Sequence, residues 1–222
     1  MTTLHVHQPE AGEAISLADQ ATFRIRELIV TLELAPGSVV SERELMRRLE
    51  LGRTPVREAL RTLAAEKLVD VYPRRGMFVS RVDAGDLASL SEVRVGLESV
   101  AARLAAERAT QADRERATEL LGELGTFTDV HDERTLIALD QRIHRHVYAC
   151  THNPFLEATL SEYYVLTLRI WFLALERVGR LEHAIQEHRE LLEALVAGDP
   201  ERAESVMRRH VVGFETAIRA VL

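Results

Sequence analysis

The chain has 222 residues, 46% hydrophobic and 28% charged, with 11 Gly and 6 Pro, which excludes low-complexity and disordered classes and allows one large or two modest globular domains. A single cysteine, Cys150, excludes an intramolecular disulfide framework and all-cysteine zinc ribbons and fits a reducing compartment. The amino terminus has neither the basic nor the apolar region of a signal peptide, and the most apolar stretch, Tyr163 to Leu175, is short and contains Arg169, so a cytoplasmic protein with no membrane partner is expected.

The net charge of -7 argues against a nucleic-acid partner on average, but the average hides an asymmetry. Residues 1–82 carry 12 basic and 11 acidic side chains, and residues 83–222 carry 16 and 24. Within Arg43 to Arg81 there are 10 basic against 5 acidic. A basic front and an acidic rear predict two domains with different tasks.

Residues 1–15 show no periodicity and read as a flexible arm. From Ser16 to Leu34, apolar residues at Phe23, Ile25, Leu28, Ile29 and Leu32 give a helix with one buried face, ended by Ala35, Pro36 and Gly37. Ser41 and Glu44 have the spacing of a capping box that opens a short helix to about Glu50. Leu51 and Gly52 form a tight turn, after which Thr54 is the expected N-cap and Pro55 the first residue of a third helix. Its apolar stripe is Val56, Ala59, Leu60 and Leu63, and its other face carries Arg57, Glu58 and Arg61. Two β-prone pieces, Leu68 to Tyr72 and Met77 to Val79, flank Pro73, Arg74, Arg75 and Gly76 as a hairpin with a basic tip. This order of elements over residues 16–82 predicts a winged helix-turn-helix.

Residues 83–222 give only helical signals, over about 84–109, 111–127, 132–151, 154–178, 180–197 and 200–221, two of them opened by Asn153-Pro154 and Asp199-Pro200. The predicted fold is mainly α, an N-terminal winged helix-turn-helix followed by a C-terminal antiparallel all-helical bundle.

In a helix-turn-helix the second helix enters the major groove with its first residues nearest the bases, which selects Arg53, Thr54 and Arg57. Arginine reaches guanine or phosphate through two hydrogen bonds. Arg43 begins the preceding helix, and Arg74, Arg75 and Gly76 at the hairpin tip suit phosphates or the minor groove. Any one of these arginines read alone is an ordinary solvated side chain; the ordered conjunction of cap, turn, helix and basic hairpin carries the DNA reading.

The stretch from Leu34 to Val79, with Ser41-Glu42-Arg43-Glu44-Leu45, Arg53-Thr54-Pro55-Val56-Arg57-Glu58-Ala59-Leu60 and Arg74-Arg75-Gly76-Met77-Phe78-Val79, resembles the DNA-binding domain of the GntR family of bacterial transcription regulators. The resemblance implies that Arg43, Arg53 and Arg57 contact operator DNA and that the Gly76 turn is the wing. Family members often place Ser or Thr before the arginine where this chain has Gly52, so a phosphate contact from that hydroxyl is not carried over.

In the rear half, Asp140 and His144 stand four apart and share a helix face, whereas His146 does not. His188 and His210 lie in the last two helices, and three imidazoles with one carboxylate converging from separate helices would make a transition-metal site. With nine histidines in the chain, one histidine alone is more often a satisfied structural residue. Residues from about Asp86 onward resemble the metal-dependent, all-helical ligand-sensing (FCD) domain of the FadR subfamily, through Val93-Arg94 with Glu98, Asp140-x3-His144, Thr151-His152-Asn153-Pro154, Glu187-His188 with Leu191-Leu192, Gly198-Asp199 and His210. This resemblance implies that Asp140, His144, His188 and His210 hold a divalent transition metal, zinc first, with nickel, iron or manganese as alternatives.

Four protein ligands leave room for an effector carboxylate, for which Arg94 is the second anchor; the competing reading of Arg94 is a buried ion pair with Glu98 one turn on. Tyr163, Tyr164, Arg169 and Trp171 share one helix, and some of them are expected to line the pocket. The expectation is a dimeric, effector-responsive regulator, a repressor, that binds a pseudo-palindromic operator and responds to a small organic acid. The alternatives are a metal-dependent hydrolase with Glu187 as its base, and an architectural DNA-binding protein without a ligand.

Overall fold

The structure is a computed structural model that describes residues 15–82, 84–126, 133–174 and 181–221. The arm expected over residues 1–15 lies outside them except for Ile15, as do the predicted helix ends at Phe127, Asp132 and 175–180. The described residues divide into two compact units, one of residues 84–126, 133–164, 174 and 181–221, the other of residues 15–82 and 165–173.

In the winged unit, α1 (Leu17–Val30), α2 (Glu42–Leu49) and α3 (Arg53–Ala65) precede strands β1 (Val69–Tyr72) and β2 (Gly76–Val79). Ser16 caps α1 by accepting from the Asp19 amide, and Ser41 caps α2 by accepting from the Glu44 amide at 3.3 Å. The Glu44 carboxylate lies toward Arg47, one turn on, so the side-chain half of the expected capping box is used there. The first helix ends four residues earlier than its apolar pattern, because Leu32 takes a left-handed φ of 63° and the Leu34 amide turns back to the Leu28 carbonyl. Glu50, also left-handed at φ 57°, closes α2. Gly52 then takes the N-cap position of α3, so Thr54 and Pro55 fall inside its first turn instead of at the cap and first helical position expected of them.

The core of this unit is Ile25, Leu28 and Ile29 of α1 against Leu45, Leu49, Val56, Leu60 and Leu63. Arg26 is buried and donates to both carboxylate oxygens of Glu66 at the end of α3, at 3.0 and 2.6 Å, while Arg24 donates to the Leu49 carbonyl at the end of α2. These contacts bind the three helices into the scaffold that aims α3. The strands pair antiparallel, with Val69 opposite Val79 and Tyr72 opposite Gly76. Arg74 (φ 63°) and Gly76 (φ 102°) both adopt left-handed backbone at the tip. An added Cβ at Gly76 meets nothing within 4 Å, so its constraint is conformational. Arg169 belongs to this unit and donates through Nη1 to Ser80 Oγ at 2.7 Å and through Nη2 to the Ser80 carbonyl, just after β2.

The second unit is helical: α4 (Ala84–Arg108), α5 (Gln111–Thr126), α6 (Glu133–Ala149), the first half of α7 (Pro154–Ala174), α8 (Leu181–Ala197) and α9 (Pro200–Arg219). Helix α4 packs most extensively along α9, and α8 packs against α5 and α9. Asn153 Oδ1 accepts from the Phe155 and Leu156 amides at the start of α7, and Asp199 accepts from the Arg202 amide at the start of α9. Among the described residues no helix is long and apolar enough to cross a membrane.

Candidate DNA interface and metal centre

On the winged unit, Arg43, Arg53, Thr54, Arg57, Arg74, Arg75 and Gly76 are all exposed. Arg53 and Thr54 open α3 and Arg57 follows one turn later, while Val56, Ala59, Leu60 and Leu63 of the same helix are buried at 0% exposure. The helix thus turns its apolar stripe inward and its basic amino-terminal end outward. Arg43 lies in the first turn of α2. The Gly52 amino-terminal cap makes no side-chain hydrogen bond, in keeping with the missing hydroxyl at that position.

In the helical unit the fold brings together the four residues that the resemblance implied, two of them, Asp140 and His144, already paired by spacing. One ligand-capable atom from each of Asp140, His144, His188 and His210 lies within 4.8 Å of every other, and all four residues are buried. Asp140 and His144 come from adjacent turns of α6, His188 from α8 and His210 from α9. His146 points elsewhere, 2.9 Å from the Asp113 carbonyl of α5.

A shell of polar side chains surrounds three of them, Asp140, His144 and His210. The Tyr164 hydroxyl donates to Asp140 Oδ2, Glu187 Oε2 accepts from His210 Nδ1 at 3.1 Å, and Glu98 Oε2 lies 3.1 Å from His144 Nδ1. Tyr148 Oη is 3.2 Å from the same His144 nitrogen. With Nδ1 of His144 and of His210 engaged outward, their Nε2 atoms face each other 3.3 Å apart. That arrangement presents imidazole lone pairs to a common point.

The electrostatics agree. Burial opposes ionisation of Asp140, but the His144 ring and then His188 beside it hold its carboxyl far below the usual range. His210 is pushed down to about 4, first by burial and then by the neighbouring His188 ring, which keeps it neutral and able to donate a lone pair. Burial pushes the Tyr148 and Tyr164 hydroxyls well above their ordinary range, so both remain hydrogen-bond donors.

A divalent metal fits these residues on one observation above all: both ring nitrogens of His188 are buried and make no hydrogen bond among the described residues. Its Nε2 lies 3.0 Å from Asp140 Oδ1 without the alignment a hydrogen bond needs. A buried imidazole without a partner is costly, and coordination would satisfy it.

Arg94 makes the buried ion pair of the competing reading. Its Nε donates to Glu98 Oε1 at 2.5 Å, with 3% and 1% of the two side chains exposed. Burial opposes the charge on Glu98, and Arg94 together with the His144 ring outweighs it, holding that carboxyl down at about 2. The two Nη groups of Arg94 make no hydrogen bond among the described residues, and the guanidinium carbon lies 5.6 Å from the centre of the Phe214 ring. Tyr164, Tyr148 and Glu187 are the contributors to this shell that spacing did not single out as such; only Tyr148, four residues beyond His144, had a helical signal.

Residues 17–79 match the model of the bacterial regulatory proteins of the gntR family, and residues 89–213 match the FCD domain. An HTH-type transcriptional regulator from an unstable DNA locus of Streptomyces ambofaciens is 32% identical, covering 85% of this chain and 79% of its own. The protein named "Probable D-xylose utilization operon transcriptional repressor" of Paenarthrobacter nicotinovorans is 31% identical, covering 86% of this chain and 85% of its own. The solved structure of E. coli McbR/YncC superposes with a TM-score of 0.83 at 24% identity, over 93% of this chain and 99% of that one, which shows a shared fold.

Proposed function

Because the chain belongs to the gntR family of bacterial regulatory proteins, as a transcriptional regulator with an FCD ligand-binding domain, we propose that it is a cytoplasmic, dimeric repressor whose grip on its operator is set by a small organic acid bound in the helical unit. The family and these relatives are transcriptional regulators, not enzymes, which removes the hydrolase alternative. Glu187, the acid that alternative required, is engaged by the His210 ring.

In this proposal Arg53, Thr54 and Arg57 read a major groove, Arg43 contacts the groove edge beside them, and Arg74 and Arg75 approach the backbone from the Gly76 turn. Two copies place two such helices on half-sites about one helical turn apart, which accounts for a pseudo-palindromic operator.

Asp140, His144, His188 and His210 hold the divalent metal, zinc first, with nickel, iron or manganese as alternatives. The FCD domain is a metal-binding, ligand-sensing domain, and the buried His188 ring without a hydrogen bond is the observation that carries the assignment here. When bound, the metal supplies a Lewis-acidic anchor for a carboxylate oxygen. Tyr148 and Glu187 keep the His144 and His210 rings turned, and Arg94 offers its two open Nη groups to the acid.

The experiment is a thermal-shift screen of small carboxylates on the metal-loaded and the chelated full-length chain, with metal content measured alongside. A carboxylate that raises the melting temperature only with metal present supports the proposal, since selective binding to the native state stabilises it by mass action. A purified chain that takes up no divalent ion, or a carboxylate effect indifferent to chelation, refutes it.

A further inference from the structure

The arginines that open α3 are already held at the surface. Glu42, the first residue of α2, places both carboxylate oxygens 3.0 Å from Arg57 Nε and one of them 3.6 Å from Arg53 Nε. The Glu42 side chain is 24% exposed, against 49% for Arg57 and 65% for Arg53, so it sits beneath them. Its own position is fixed, because the turn that carries it is capped by Ser41 and the far end of α2 is tied to α1 through Arg24.

One carboxylate therefore serves two guanidinium groups whose neighbourhood is otherwise unfavourable. Both arginines lie in the first turns of α3, where the helix dipole already presents positive charge, and they repel each other. The contact with Arg57 uses Nε alone, and its Nη1 and Nη2 make no hydrogen bond among the described residues. The end of the guanidinium fork that suits guanine O6 and N7 stays open while its stem is held.

We propose that Glu42 is a positioning residue that sets DNA specificity: it orients Arg57 and Arg53 before DNA arrives, and its negative charge suppresses sequence-independent attraction to phosphate. This rests on the reading of α3 as the recognition helix. An arginine held in one orientation loses less freedom on docking to the right base, whereas a released one finds any nearby phosphate. Removing the carboxylate charge should thus strengthen binding to indifferent DNA and erode discrimination, a pair of effects that loss of scaffold would not produce.

The test uses the full-length chain, a duplex selected by the wild type from a random library, and a scrambled duplex of equal length and composition. Glu42→Gln keeps the size and removes the charge; Arg57→Ala is run in parallel, and melting temperatures are recorded. The expected result is that Glu42→Gln binds the scrambled duplex several-fold more tightly, with its preference for the selected duplex reduced on the order of tenfold and its melting temperature near wild type. A preference within about twofold of wild type, while Arg57→Ala loses it, overturns the role of Glu42 and leaves the recognition helix standing. If Arg57→Ala also keeps the preference, the recognition-helix reading falls and the proposal with it.

Discussion

In the winged unit Glu42 meets Arg57 where half of the arginine side chain is exposed; in the helical unit Glu98 meets Arg94 where almost nothing is. The exposed pair is screened by water and contributes little to stability, so its arginines remain available to a polyanion. The buried pair cannot be left half-made, because a lone guanidinium or carboxylate there would lack both water and partner. The same two residue types thus serve a surface that must exchange partners and an interior that must hold imidazoles still.

The largest effect expected from breaking this contrast is on folding. Glu98→Ala removes one member of the buried pair and the carboxylate beside His144, and should cost about 3 to 5 kcal/mol in chemical denaturation. A loss below about 1 kcal/mol would place Arg94 and Glu98 in water. Next comes Glu187→Gln, which leaves the four proposed metal ligands intact but weakens the hold on the His210 ring; metal affinity by competition with a chelator should fall about 10- to 100-fold. An unchanged affinity would make that hydrogen bond incidental.

On the exposed side the effects are smaller and confined to DNA. Arg53→Ala and Arg57→Ala should each lose about 1 to 3 kcal/mol of operator affinity by fluorescence anisotropy at fixed salt, with metal content unchanged. Arg74→Ala and Arg75→Ala should weaken binding across all sequences, each lowering the slope of log affinity against log salt by about 1. An unaltered slope would remove the wing from the backbone.

The elements were legible because each is locally signalled: the Ser41 cap, Asn153-Pro154, Asp199-Pro200 and the apolar stripe of α3 all act within a few residues. Where local signals misled, backbone geometry decided. Leu32 continues the apolar pattern of α1 yet takes a left-handed φ, and Gly52 caps α3 although Thr54 has the better side chain for it. Asp140 and His144 could be paired from their spacing on α6, but joining them to His188 and His210 required the family resemblance, since three helices must converge. Tyr164 on Asp140 and Arg169 on Ser80 bridge 24 and 89 residues, and no periodicity encodes such contacts. Glu42 was hidden for the opposite reason: beside Arg43 it looks like any charged residue in a first helical turn.

Whether the buried cluster anchors an acid that controls the operator is decided by titrating operator DNA into the metal-loaded full-length chain with and without the carboxylate found by thermal shift, in wild type and in His188→Ala. Wild-type operator affinity should change by about 5- to 150-fold, and His188→Ala should show basal binding without any response. A His188→Ala protein that keeps its full metal content and a normal response would contradict that anchoring.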